Sequence, residues 1–99
     1  MSVKLIAIYS TPQDVQAFEQ HYRDVHTPIA LKIPKLISLE VNRVKKVLGG
    51  VSDVYMIAEL LFANQAAFAE AAQSDEFKAA GADLANFAAG RVSMLLVEA

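Results

Sequence analysis

Residues 54–62 read VYMIAELLF: nine residues that are apolar on both sides of an extended chain except at Glu59. A strand of this kind needs cover on both faces. Residues 3–10, VKLIAIYS, form a second continuous β-rich run of the same type. The fold therefore turns on what lies above and below these two strands.

The segments between them supply part of that cover. After the first strand comes TPQD, in which Thr11 fits an N-cap, Pro12 the first helical position and Asp14 the third, a capping-box pattern. A helix is predicted over residues 12–26, with Val15, Phe18, Tyr22 and Val25 as one apolar stripe. Pro28 lacks an N–H and biases Thr27 away from helical geometry, so Thr27 is expected to cap a short restart that Pro34 ends. Residues 36–44 alternate, with Ile37, Leu39, Val41 and Arg43 on one face and Ser38, Glu40 and Asn42 on the other. Gly49 and Gly50 mark a loop before residues 54–62.

Asn64 can cap an alanine-rich helix, and 12 alanines fall between Ala63 and Ala89. Ser74 and Asp75 signal a break and a re-capped helix over residues 75–89, ended by Gly90. RVSMLLVE is the last strand. The order β-α-β-β-α-β in 99 residues describes one α+β domain: a four-stranded antiparallel sheet with its helices on one face. Its other face would then be bare, although the strands are apolar on that side too. A second copy of the chain packed sheet to sheet would cover it, so a homodimer is expected.

Composition narrows the function. The net charge is −2 with no basic patch, which argues against nucleic acid as a partner; the one basic run, Arg43 to Lys46, reads as a solvated strand end. The absence of cysteine removes disulfides, thiolate nucleophiles and thiolate-ligated metals. No run approaches the ~20 apolar residues of a membrane span, and the opening MSVKLIAIYS reads as a strand, not a signal peptide. The expectation is a cytoplasmic protein with no membrane partner. No G-x-G-x-x-G, P-loop or G-x-S-x-G occurs, and no cofactor is expected, although a flavin or haem could bind without a motif.

Both histidines of the chain, His21 and His26, fall in the first helix. At ~100° per residue they stand roughly 140° apart, on opposite flanks of the apolar stripe. A metal site usually needs i, i+4 spacing, so none is expected within this helix. His21 reads as a partly exposed helix residue. His26 lies beside Tyr22 and near Phe18, at the expected last turn, where the helix dipole favours a protonated imidazole. It either satisfies terminal carbonyls or points a general acid or base into a cleft between helix and sheet. Tyr9, Tyr55, Glu59 and Asp83 are the other polar groups on apolar elements, each more readily structural than catalytic. A buried Glu59 carboxylate needs a partner: it is either an acid with a raised pKa or one half of an ion pair with a lysine or arginine near the dimer surface.

FEQHYRDVHTPIALKIP (18–34), LEVNRV (39–44), AELLF (58–62) and ADLANF (82–87) together resemble the EthD family, in order and across nearly the whole chain. The resemblance implies a ferredoxin-like dimeric α+β barrel. The wider superfamily includes cofactor-independent monooxygenases, cyclases and lactone isomerases with pockets between helices and sheet. EthD proteins are associated with ethyl tert-butyl ether degradation, and related sequences are called reductases, for which this sequence offers no dinucleotide fingerprint or redox thiol. In the family pattern His26 matches the H-x-P histidine, and Asp83 and Phe87 match a D-x-x-x-F element. The expected site has His26 as catalytic acid or base, with Tyr9, Phe18, Tyr22, Asp83 and Phe87 holding a small apolar or aromatic molecule. The alternative is a non-catalytic ligand-binding dimer or an accessory to a partner oxygenase.

Overall fold

The computed structural model describes all 99 residues. Four strands, β1 (Val3–Ser10), β2 (Leu36–Arg43), β3 (Val54–Phe62) and β4 (Val92–Glu98), form one antiparallel sheet in the order β2-β3-β1-β4. The two most apolar runs, β1 and β3, are the central pair. Each helical connection therefore joins two strands that have a third between them, and the helices lie over one sheet face. Val3, Leu5, Ala7 and Tyr9 of β1 and Met56, Ala58, Leu60 and Phe62 of β3 are all buried beneath that layer. The alternate residues of both strands are only half-buried, because nothing in the chain covers the other face. On that face the Glu59 carboxylate accepts from Lys4 Nζ at 3.0 Å, the partner its position demanded.

Two bulges adjust the sheet. One falls between Leu36 and Ser38, so Ile37 is left out of the pairing and stands 58% exposed instead of sharing a face with Leu39 and Val41. The other leaves Tyr55 unpaired opposite Tyr9 and Ser10. Its hydroxyl donates to Glu19 on the first helix, and its ring meets Phe18 edge-on at 5.7 Å. Arg43, the last residue of β2, clamps the same Glu19 carboxylate with bonds of 2.6 and 2.7 Å. Arg43 first, with help from Tyr55, holds Glu19 below the usual carboxylate range against the opposing effect of burial.

The helices are α1 (Val15–His21), α2 (Thr27–Ala30), α3 (Gln65–Ala72) and α4 (Asp75–Phe87). α1 begins later than the capping-box pattern suggests. Asp14, not Thr11, is its N-cap, accepting from Ala17 N at 3.0 Å. The Thr11 hydroxyl instead donates to the Asp53 carbonyl in the neighbouring loop. Asn64 and Ser74 cap α3 and α4 as expected. α4 stops at Phe87, two residues short of the predicted end, and the chain turns through Gly90 at φ 72°.

The largest departure lies between α1 and α2. Residues Tyr22–His26 form a π-helical turn, and the Thr27 N–H donates to the Tyr22 carbonyl five residues back. Thr27 itself is helical (φ −58°, ψ −46°), and no side chain caps α2. The helix therefore widens at Pro28 instead of breaking and restarting. The proline ring has no N–H for the Asp24 carbonyl and would collide with it in a regular α-helix; the wider turn relieves both problems.

The two candidate caps make separable predictions. Asp14→Ala should lower the unfolding free energy by about 1 kcal/mol, as expected for a lost N-cap, whereas Thr11→Ala should cost clearly less, both read from urea denaturation.

Candidate functional site

The π-turn determines which side chains meet. Closing the turn five residues apart brings residues i and i+5 to one side, so His21 and His26 do not stand on opposite flanks. Both reach the same carboxylate on α4. His26 Nδ1 lies 2.9 Å from Asp83 Oδ2, and His21 Nε2 lies 3.0 Å from each Asp83 oxygen. Asn86, one turn along α4, donates a further bond of 3.0 Å to Asp83 Oδ1. Asp83 is 5% exposed and His26 7%.

Burial by itself would raise the Asp83 pKa. The donors Asn86, His21 and His26 outweigh it and hold the carboxyl below its ordinary value. For His26 the balance goes the other way. Burial lowers its pKa, and the Asp83 hydrogen bond and charge recover only part of that. The expectation of a terminal imidazole held protonated by the helix dipole is thus reversed: the helix does not end at His26, and desolvation favours the neutral ring. A neutral His26 donates Nδ1–H to the carboxylate, which fixes the tautomer. Nε2 then carries the free lone pair. No group of the chain bonds to it, and it is not sealed from space.

His26 also lines a cavity of about 40 Å³ between the helices and the sheet. It has room for a few waters as it stands. Thirteen of its 15 lining residues are hydrophobic, so an occupant must be largely apolar. Tyr9, Tyr22 and His26 are the lining residues whose side chains carry polar atoms. Burial pushes the Tyr9 hydroxyl pKa well up and that of Tyr22 to about 12, so both are neutral phenols able to donate. Phe18, Asp83 and Phe87 stand behind this lining. Phe18 and Phe87 pack at 5.3 Å centroid separation, and Phe87 stacks on His21 at 4.7 Å and touches His26 at 5.0 Å. They fix the imidazoles rather than line the cavity.

Gly81 of α4 sits at the cavity rim, exposed. A Cβ there would meet nothing within 4 Å, and its φ is not positive. Neither packing nor backbone conformation requires glycine, which costs ~1 kcal/mol in a helix interior relative to alanine. What its missing side chain leaves is open space at the entrance.

His21 and Asn86 fall outside the set of site residues expected from the sequence. Regular helical spacing pointed His21 away, and only the proline two residues beyond His26 hinted at a wider turn. No three or more His, Asp or Glu side chains are arranged to hold a metal ion. No helix is long and apolar enough to cross a membrane.

The fold and site define a class: ferredoxin-like α+β proteins with an apolar cavity between helix layer and sheet. The model of the EthD domain matches residues 10–91. An EthD family protein of Bacillus halodurans C-125, solved by crystallography, is 36% identical, with a TM-score of 0.93 over 100% of this chain and 99% of that one. An uncharacterized 11.0 kDa protein from the thcB–thcC intergenic region of Rhodococcus erythropolis is 33% identical over 96% of this chain and 92% of its own length. The chain belongs to the EthD family. At 14% identity, SnoaB, a cofactor-independent oxygenase from Streptomyces nogalater, shares the fold with a TM-score of 0.72 over 99% of this chain and 92% of its own.

The shifted groups make stability depend on pH. Asp83 and His26 both have depressed folded-state pKa values, so the unfolded chain binds their protons more readily. Stability from His26 is fully present above about pH 6.5 and is lost as pH falls toward its folded value; that from Asp83 is lost below about pH 4. The unfolding free energy should therefore be smaller at about pH 5.5 than at about pH 7.5, and His26→Gln should shrink that difference, both measured by urea denaturation.

Proposed function

We propose that the chain is an enzyme that binds a small, largely apolar aromatic molecule in the helix–sheet cavity, which widens past Gly81 to admit it, with His26 as general base. The observation that carries this reading is the Asp83–His26 pair. Asp83 holds Nδ1–H and leaves the Nε2 lone pair as a proton acceptor within an apolar enclosure. An aspartate behind a histidine orients the ring and stabilises the imidazolium that forms on proton uptake. The neutral Tyr9 and Tyr22 hydroxyls supply donors for an oxygen of the ligand, where negative charge develops once the proton leaves. The reaction class is proton abstraction from an acidic C–H or O–H next to an aromatic ring or carbonyl. The shared fold of SnoaB, a cofactor-independent oxygenase, supports chemistry carried by the side chains themselves.

The working unit is a homodimer joined through the uncovered sheet face. Ile6, Ile8, Ile57 and Leu61 are half-buried there, and Leu95 is 52% exposed. Two of the structural relatives, from Bacteroides fragilis and Jannaschia, are described as dimeric proteins of ferredoxin-like fold, which supports this arrangement.

The test uses 2-tetralone, an aromatic ketone with an acidic C–H, in D2O. The protein should accelerate deuterium uptake at the carbon next to the carbonyl. His26→Gln should reduce the acceleration by about a hundredfold or more, and Gly81→Leu, which fills the entrance, should weaken ketone binding with the fold intact by circular dichroism. Binding with exchange no faster than in buffer would mean a non-catalytic binding protein, and no binding would end the cavity assignment. In light scattering on a sizing column, the particle mass should be about twice the 10.7 kDa of one chain.

A further inference from the structure

Asp83 separates two spaces. His26 faces the enclosed cavity. His21 faces an open cleft of about 360 Å³ on the other side, bordered by Gln13, Asp14, Asn86 and Arg91. The His21 side chain is 25% exposed, and its Nε2 is bonded to Asp83, so Nδ1 is the nitrogen left for solvent. The two histidines of the chain therefore share one buried carboxylate from opposite sides, one in contact with the ligand space and one with water.

We propose that His21 is a positioning residue that acts on the cavity through Asp83: one carboxylate neutralises one imidazolium, so a proton arriving on His26 drives a proton off His21 into the outer cleft. The bond between the ligand and its acidic hydrogen breaks, the electron pair stays on the ligand, and the proton joins His26 Nε2. The exchange starts from the pair with its one proton on His21, which gives its Nδ1 proton to water. Asp83 stays a carboxylate throughout, and the net charge of the trio is unchanged. Charge, not the abstracted proton, reaches the outer cleft: that proton stays on His26 Nε2 until it returns to the ligand or leaves by way of the cavity. The surrounding groups leave this exchange to the trio. On the cavity side the other titratable groups are the phenols Tyr9 and Tyr22. On the cleft side they are Asp14 and Arg91, already bonded to Ala17 N and to the Thr11 carbonyl.

The catalytic use of this exchange rests on His26 being the base; the coupling itself does not. It is read without any ligand, from the imidazole Cε1–H signals of His21 and His26 in NMR spectra of the intact chain between about pH 5 and pH 8. Coupled sites titrate with curves broader than a single proton's. His21→Gln should raise the proton affinity of His26 at least about threefold. His26→Gln should raise that of His21 by the same factor, since linkage is reciprocal. A side chain that merely packs would move one midpoint without the matching change in the other. Two independent single-proton curves in the wild-type chain, or an unmoved His26 midpoint in His21→Gln, would overturn the proposal, and the wild-type curves decide it even where a variant fails to fold. Ketone exchange lost in His26→Gln without coupling would leave the base in place and remove this role for His21. Coupling without ketone exchange would do the reverse.

Discussion

A charge taken out of water must be matched where it lies, and Asp83 is the place where this chain meets that demand. An unpaired carboxylate at this depth would cost several kcal/mol. Three donors answer it: His21 and His26 from the first helix, and Asn86 from its own. The same bonds tie the π-turn to α4, choose the His26 tautomer and decide which ring nitrogen meets the cavity. Phe87, one turn beyond Asp83, locks both rings by contact. The geometry of the proposed site and the packing of the helices are one set of contacts.

That set exists because of Pro28. The sequence shows the proline but not how the chain responds to it. A break, a kink and a widened turn all relieve the missing N–H, and they place side chains differently. Stepping at the regular angle put the histidines on opposite flanks; one π-turn put them on one carboxylate. The expected apolar stripe did not reveal that turn either: Phe18 and Tyr22 are buried, but Val15 and Val25 are exposed at 43% and 40%. Asp83 needed more than local reading, because its partners lie 57 and 62 residues away along the chain. The fold was far more legible. Asn64 and Ser74 cap their helices where the pattern puts them, and the two-sided strands β1 and β3 are central. The strand errors are single-residue slips at the two bulges: at Ile37 the alternating pattern continues straight through the slip, and at Tyr55 both faces are apolar and alternation gives no register. Thr11 fitted the cap pattern, but its hydroxyl makes a tertiary bond to the Asp53 carbonyl, and Asp14, expected inside the helix, caps it instead.

A second network holds the other side of the cavity. Glu19 joins Arg43 at the end of β2 and Tyr55 at the bulge in β3, so the first helix is fastened to the sheet by ionic and phenolic bonds as well as by packing. Tyr22, three residues beyond Glu19, is thereby held over the cavity. Rigid support of this kind keeps a site from drifting by the ångström that degrades catalysis.

Gly81 has a consequence for how such proteins diversify. The helix backbone is indifferent to what stands there, and alanine or a larger side chain would even strengthen α4. The opening beside Gly81 is therefore set by a position that makes no demand on folding, while His21, His26 and Asp83 are locked to one another. For the proposed enzyme, ligand range can then change by a single substitution at this position without disturbing that trio.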